Sequence, residues 1–272
     1  MNTTAVPETA PSGATGGRTR RGRTAGRSTA KLVVTEAKLF VRDPLGSFFA
    51  VIFPATLILV LGSAMPGFNE PSADIGGRKP IEFFLPITLA LAIGTVALVN
   101  LLNTLAADRE KGVLRRLSTT PVSPVRLLVA QLTVTVVALL VGSALALLAG
   151  RLVFGIEARP NVAGLLTAFV LGSASMVALA LLVAAFTPTS RAAMGIGSLI
   201  YYPMLFAAGV WTPGPLMPEA VRRVADFTPL GAASQALQDS WAGDWPQPLH
   251  LAVLVGCIAL FGGLAAKLFR WS

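Results

Sequence analysis

Residues 83–107 read FFLPITLALAIGTVALVNLLNTLAA, a stretch without a single charged side chain. A helix needs roughly 17–25 mostly apolar residues to cross the hydrocarbon core of a membrane, and the chain contains five further uncharged stretches of comparable length. Because backbone polar groups in lipid must be satisfied within the segment, each stretch is predicted to be a helix. The six predicted spans cover about 46–65, 83–106, 124–149, 162–186, 192–211 and 249–267.

The composition and the placement of charge both favour an all-α integral membrane protein. Hydrophobic residues make up 54% of the 272 residues and charged residues only 13%, which is too apolar for a chain that presents its surface to water. With six spans and both termini inside, sixteen of the twenty-two Lys and Arg residues lie inside and eight of the thirteen Asp and Glu residues lie outside. The positive-inside rule requires this asymmetry. We therefore expect a multi-pass protein of the cytoplasmic membrane, with its N- and C-termini in the cytoplasm.

The chain divides into a short arm and one membrane domain. Residues 1–29 are rich in Thr, Gly, Ala and Arg without apolar periodicity, which predicts a disordered, basic cytoplasmic arm. Its arginine-rich run at 18–23 is interpreted as a topology determinant that contacts anionic headgroups rather than as a nucleic-acid site. Apolar and charged residues then alternate from Ala30 to Asp43, as in an amphipathic helix on the inner membrane face. Residues 30–272 are predicted to form a single transmembrane domain.

The segment 212–248 is too polar to span a membrane and too apolar to be a free loop. Pro213, Pro215 and Pro218 end the fifth predicted span. Apolar residues then recur at helical spacing before and after Pro229, and tryptophans follow. This pattern predicts two short helices, re-entrant or interfacial, at the outer face before the last span.

Charged residues concentrate between the second and third spans. The segment 108–124 reads DREKGVLRRLSTTPVSP. It predicts a charged extension of the second span, a turn at Pro121 and a third span capped by Ser123. Such an elbow, protruding from a membrane bundle, suits docking to a soluble partner. On the residues alone, the segment could equally be a solvated loop that only sets the membrane topology.

The same segment resembles the inner-loop signature of ABC-2 type transporter permeases. The similarity is carried by an acidic residue followed by Lys-Gly-aliphatic-Leu, and then by Arg-Leu and Thr-Pro-Val-Ser. It extends to the interfacial helix at 36–44 and to the outer segment at 215–230, and it covers nearly all of residues 30–272. Within the family, the Ala-, Arg- and Gly-rich composition is most similar to the daunorubicin and multidrug-resistance branch of actinobacteria.

The resemblance implies a bacterial membrane subunit that pairs as a homodimer and binds two copies of a cytoplasmic ATP-binding subunit. The sequence contains no G-x-x-x-x-G-K-[ST] phosphate loop, the motif that cradles nucleotide phosphates. The chain is therefore expected to be no enzyme and to bind no cofactor itself, with ATP and Mg on the separate ATPase. The implied ATPase-coupling residues are Asp108, Glu110, Lys111, Gly112, Arg115, Arg116 and Pro121.

Polar side chains inside the predicted spans are candidates for a substrate pathway, because they cost free energy in lipid unless they face the bundle interior. They are Asn100, Asn103, Gln131, Tyr201 and Tyr202. Hydrogen bonding between neighbouring helices is the alternative role for the amides, and at least one tyrosine is expected to face the interior. The lone His250, placed at the membrane interface, and the lone Cys257 come with no metal-ligating cluster, so no metal site is predicted.

We therefore expect a permease subunit of an ATP-driven exporter that moves hydrophobic or amphipathic compounds, such as drugs or antibiotics, out of the cell by alternating access. A permease for a lipid-linked polysaccharide or glycolipid is the alternative. No predicted span carries an Asp, Glu, Lys or Arg in its central turns, which disfavours a proton-driven antiporter and a charged small metabolite. A membrane-embedded enzyme is disfavoured because no nucleophile–base pair or carboxylate pair lies in a span.

Overall fold

A computed structural model describes residues 17–73, 77–112, 124–156, 159–211 and 218–268. Within these ranges the predicted all-α class is confirmed, and extended residues pair only in an isolated bridge between Ser72 and Arg78. The helices are α1 (Gly17–Arg42), α2 (Pro44–Ala64), α3 (Pro80–Glu110), α4 (Pro124–Phe154), α5 (Val162–Phe186), α6 (Ser190–Ala207), α7 (Glu219–Ala225), α8 (Pro229–Trp241) and α9 (Pro248–Leu268).

Five of these helices are long and apolar enough to cross a membrane, namely α2, α3, α4, α5 and α9. Helix α6 covers most of the predicted span 192–211 but is not one of the five. Its 18 residues extend about 27 Å at 1.5 Å per residue, slightly less than the roughly 30 Å hydrocarbon core. Arg191 near its start and Pro203 within it lower its apolar character further. The predicted count of six spans is therefore not confirmed.

The first helix begins earlier than predicted. Helix α1 starts at Gly17, whereas the sequence predicted disorder through residue 29 and a helix from Ala30. Arginine is a good helix former, and a helix that already exists extends at little cost. Helix α1 packs on α4, so its later part provides a helix that the earlier residues can extend. The disorder of the arm stays a prediction. Residues 1–16 lie outside the described part of the chain.

Helix α2 begins with an α-helical turn, Pro44–Ser47, and continues with a π-helical turn, Phe48–Ile52, just before Pro54. Pro54 has no N–H for the carbonyl of Ala50, four residues earlier, and the wider turn accommodates its ring. The Ala50 carbonyl packs against Gly142 of α4, where an added Cβ would overlap the carbonyl oxygen. A glycine at this position thus allows α2 and α4 to approach at backbone distance.

Helix α3 is the centre of the bundle. In its most apolar stretch 89% of residues are buried, against 17% for α9, and α2, α4, α5, α6 and α8 all contact it. It contains a second π-helical segment, Thr95–Leu101, which lies beside the π-helical turn of α2. Side chains in the second half of α3 are therefore placed where several helices meet.

The two short helices predicted within 212–248 are α7 and α8. Helix α7 is mostly exposed, but α8 is buried along most of its length and contacts α3, α5 and α9. Small residues permit this close fit, since Gly172 of α5 faces Ala233 of α8. Helix α8 lies among the longer helices, so an interfacial placement is not confirmed for it. We refer to Pro229–Trp241 in this position as the α8 wedge.

Candidate functional site

The C-terminal end of α3 carries consecutive charged residues that bond to different helices. Asp108 Oδ2 accepts a 2.7 Å hydrogen bond from Gln131 Nε2 of α4. Arg109 Nη1 donates to the carbonyl oxygens of Ala184, at 3.2 Å, and Ala185, at 3.0 Å. These carbonyls lie in the last turn of α5 and have no partner within their own helix. A guanidinium at a helix C-terminus also interacts favourably with the helix dipole.

The next residue, Glu110, bonds to the start of α6. Its Oε2 accepts from the Ser190 backbone N–H at 2.9 Å and from Ser190 Oγ at 2.7 Å. The first N–H groups of a helix lack intrahelical acceptors, and a carboxylate there is favoured by the helix dipole. Thr189 adds a cap of its own by accepting from the Ala192 N–H at 3.2 Å. Glu110 therefore joins the end of α3 to the beginning of α6.

Together these contacts hold both sides of the α5–α6 connection to a single helix end. We refer to Asp108, Arg109 and Glu110 with their partners as the α3 junction. Arg109 fixes the end of α5 and Glu110 fixes the start of α6. A displacement of this end of α3 must either move both helices or break these bonds. The junction therefore links the end of α3 directly to both α5 and α6.

Lys111 and Gly112 end the helix. The Lys111 N–H donates to the Ala107 carbonyl at 2.9 Å, and the Gly112 N–H donates to the Arg109 carbonyl at 3.0 Å. Gly112 has a φ of 66°, the left-handed conformation in which helices commonly stop at glycine. The other predicted coupling residues lie outside the described part of the chain: Arg115, Arg116 and Pro121.

The two asparagines predicted to line a pathway have different surroundings. Asn100 Nδ2 donates to the Gly46 carbonyl at 2.9 Å, which links the middle of α3 to the start of α2. Asn103 Nδ2 donates within its own helix to the Val99 carbonyl at 2.6 Å. Among the described residues, no donor reaches the buried Asn103 Oδ1. Asn100 therefore serves contact between helices, and a role of either residue in transport remains a prediction.

The two tyrosines differ in exposure. Tyr201 is 6% exposed, and its hydroxyl lies 2.6 Å from Thr95 Oγ1 and 3.2 Å from the Leu91 carbonyl oxygen. Tyr202 is 63% exposed on the outside of the bundle. The expectation that at least one tyrosine faces the interior is confirmed by Tyr201. Its tight packing against α3 favours a structural role, and Tyr202 is the one that a molecule outside the bundle can reach.

Four predicted residues, Asn100, Asp108, Lys111 and Gln131, line one cavity of about 260 Å³. Glu36 of α1 also lines it, although the sequence analysis placed no functional residue in that helix. Burial raises the pKa of Glu36 above its ordinary value and the charge of Asp108 raises it further, while hydrogen bonding to Gln131 lowers it. Two carboxylates from distant parts of the chain thus share a partly buried space.

The opposite end of the bundle carries a polar cluster that the sequence analysis missed. His250 is 3% exposed, with Nε2 3.2 Å from Asp226 Oδ1 and Nδ1 3.6 Å from Asp239 Oδ2. These contacts join α9 to the end of α7 and to the α8 wedge. A lone histidine gave no local signal for this cluster, because its acidic partners are 24 and 11 residues away in sequence.

Comparison with known proteins places this geometry in a family. Residues 78–267 match the family described as ABC-2 family transporter protein. The chain belongs to that family. This ABC-2 family member is also 28% identical over 241 residues to the daunorubicin resistance ABC transporter permease protein DrrB1 of Streptomyces coeruleorubidus, a match that covers 85% of this chain and 82% of that protein. The resemblance inferred from residues 108–124 is confirmed, and membership implies an ABC ATPase as partner.

Proposed function

We propose that this chain is the membrane-spanning permease subunit of an ATP-driven exporter for hydrophobic or amphipathic compounds, drugs and antibiotics among them. Membership of the ABC-2 family and similarity to a permease named for daunorubicin resistance support this function. The apolar spans support the cargo class, because a charged small metabolite needs charged partners deep in the membrane.

In the proposed assembly two copies of the chain pair as a homodimer in the bacterial cytoplasmic membrane. Two copies of a cytoplasmic ATP-binding subunit hold ATP and Mg and drive alternating access. Helix α6 completes a set of six spans with both termini in the cytoplasm. The excess of Lys and Arg on that side of the predicted topology supports this orientation.

The α3 junction is the observation on which the coupling mechanism rests. Asp108, Glu110, Lys111 and Gly112 lie at or beside the point where Arg109 and Glu110 bond to α5 and α6. We propose that the ATPase docks on residues 108–121, with Arg115, Arg116 and Pro121 in the contact. Movement of the ATPase then displaces the end of α3 and, through it, α5 and α6.

The test is ATP-driven transport by the reconstituted complex. The chain is co-expressed with the ABC ATPase encoded beside it, and a fluorescent hydrophobic drug is added to the medium around inside-out vesicles. We expect ATP-dependent accumulation of the drug that disappears when the ATPase cannot hydrolyse ATP. Co-purification without transport of any hydrophobic compound, together with accumulation of lipid-linked glycans in cells that lack the chain, would favour the glycolipid alternative. Failure to co-purify with any ABC ATPase would contradict the proposal.

A further inference from the structure

Acidic side chains outnumber basic ones in the lining of the cavity at the α3 junction. Its volume is about 260 Å³ and its lining includes three carboxylates, from Glu36, Asp43 and Asp108, and one ammonium group, from Lys111. The carboxylates come from α1, from the α1–α2 boundary and from α3, so three separate elements direct negative charge to one place. When all four groups are ionised, the lining carries a net negative charge.

A buried amide adds an acceptor that has no donor. Gln131 lines the cavity and is 4% exposed. Its Nε2 donates to Asp108 Oδ2, and only the NH₂ group can do so, which fixes the amide orientation. No hydrogen-bond donor from the described residues reaches Oε1. Burying an acceptor without a donor is costly, so a bound molecule that supplies an N–H or O–H would stabilise this arrangement.

The rest of the lining is apolar. Leu39 and Phe40 come from α1, Val96 and Leu101 from α3, and Val134 from α4. The cavity is slightly smaller than the roughly 300–1,000 Å³ of pockets that enclose a drug-sized ligand. It therefore has room for a compact polar end of a molecule, with apolar surface beside it for the adjoining hydrocarbon.

We propose that this cavity binds the ammonium end of an amphipathic organic cation. The ammonium group lies between Glu36 and Asp108 and donates to Gln131 Oε1, while the apolar body contacts the side chains of α1 and α4. Charge-assisted hydrogen bonds of this kind are stronger than neutral ones. The bound cation also relieves the repulsion that Asp108 exerts on Glu36. The inference names the chemical class of the exported compound and so rests on the proposed function.

Equilibrium binding to the purified chain, without any ATPase, tests the site. The probe is dansylcadaverine, a fluorescent aromatic sulfonamide with a primary ammonium group, and its N-acetylated form is the neutral control. We expect the full chain in detergent to bind the cation at least tenfold more tightly than the neutral form. Glu36→Gln and Asp108→Asn should each weaken cation binding about tenfold, which corresponds to about 1.4 kcal/mol, and leave the neutral form unchanged.

Glu70→Gln is the matched control, because Glu70 is an exposed carboxylate that does not line the cavity. Equal affinity for the two probes, or cation binding by Glu36→Gln within twofold of the unmodified chain, would overturn the inference. If Asp108→Asn does not fold, the affinity of Glu36→Gln for the cation tests the site, since glutamine preserves the shape of the side chain. Failure of the proposed function would be a separate result. If the chain bound the cation selectively but showed no ATP-driven transport, the export function would be contradicted and the binding site would still be supported.

A lipid headgroup offers the same ammonium chemistry as a cargo molecule. Phosphatidylethanolamine added to the detergent solution separates the two sources. Competition with dansylcadaverine that disappears in Glu36→Gln would support the cation site with lipid as its occupant. Absence of competition, with selective cation binding intact, would support a cargo molecule.

Discussion

The α3 junction and the α8 wedge both join helices, but they do so by different means. The wedge is held by close packing: most of its side chains are buried, and Gly172 lets α5 approach Ala233 directly. The junction is held by hydrogen bonds from charged side chains to helix ends, and Glu110 at its rim is exposed. Close packing resists displacement, whereas such bonds can open and be replaced by water. We therefore expect the wedge to resist displacement and the junction to yield more easily.

Gly231→Ala in the wedge should have the largest effect. An added Cβ at this position overlaps the backbone carbonyl of Ala225, which cannot turn away as a side chain can. Overpacking of this kind costs about 1–3 kcal/mol, and we expect a lower thermal unfolding temperature of the detergent-purified chain. Gly256→Ala in α9, where an added Cβ meets nothing within 4 Å, is the control. Unchanged stability of Gly231→Ala would contradict a tightly packed wedge.

Arg109→Gln in the junction should reduce ATP-driven transport about tenfold with little change in unfolding temperature. The substitution removes the guanidinium that bonds the last carbonyls of α5 but opens no cavity in the apolar core. Transport is measured in vesicles that contain equal amounts of complex. Arg223→Gln is the control, because Arg223 is an exposed arginine of α7 paired only with Glu219 among the described residues. If Arg109→Gln lowered the unfolding temperature while each folded molecule still transported at the normal rate, the junction would have only a structural role.

Glu110→Ala should reduce transport less, by a few-fold, and Ser190→Ala less again. The first substitution removes both hydrogen bonds to Ser190, whereas the second leaves the backbone N–H in place as a donor. Measured side by side with the exposed-acid control Glu219→Ala, the two variants should rank in that order. The reverse order, or losses equal to that of Glu219→Ala, would exclude the contact between α3 and α6 from coupling.

The smallest expected effect is a pH dependence of cation binding at the cavity. Glu36 has a raised pKa, so it takes up a proton at a higher pH than an ordinary glutamate. Binding should therefore be strongest above that raised pKa and should fall as the pH drops through it. The other ionisable groups that line the cavity are Asp43, Asp108 and Lys111. In Glu36→Gln the pH profile should change because Glu36 no longer titrates, and an unchanged profile would rule out Glu36 as the titrating group.

Much of the fold could be predicted because its signals are local. Uncharged runs indicated the helices. The end of α3 at Gly112 was not predicted, since the charged segment was expected to extend the helix towards a turn at Pro121. The burial of the α8 wedge was not predicted, because its Gly, Ala and Ser residues lower its hydrophobicity although they are what permits burial. The start of α1 at Gly17 was not predicted either, because residues 17–29 show no apolar periodicity.

The candidate site could be predicted only in part. Asp108 and Gln131 were identified separately, but nothing in the sequence indicated that Glu36 lies beside them, since 95 residues separate it from Gln131. Arg109 was overlooked because its acceptors are backbone carbonyls of α5, which carry no residue-type signal. Contacts between distant segments are set by helix packing, and helix packing is not visible in a single sequence.

The most direct test of the coupling role is the accessibility of the junction with and without the ATPase. In a Cys257→Ala background, cysteine is placed at Lys111, beside the junction, or at Asp244, near the wedge, and labelled with a membrane-impermeant maleimide. We predict that position 111 reacts only in inside-out vesicles and is protected by the bound ATPase, while position 244 reacts only in intact cells. Labelling of position 111 from outside, or no protection by the ATPase, would contradict coupling through the α3 junction.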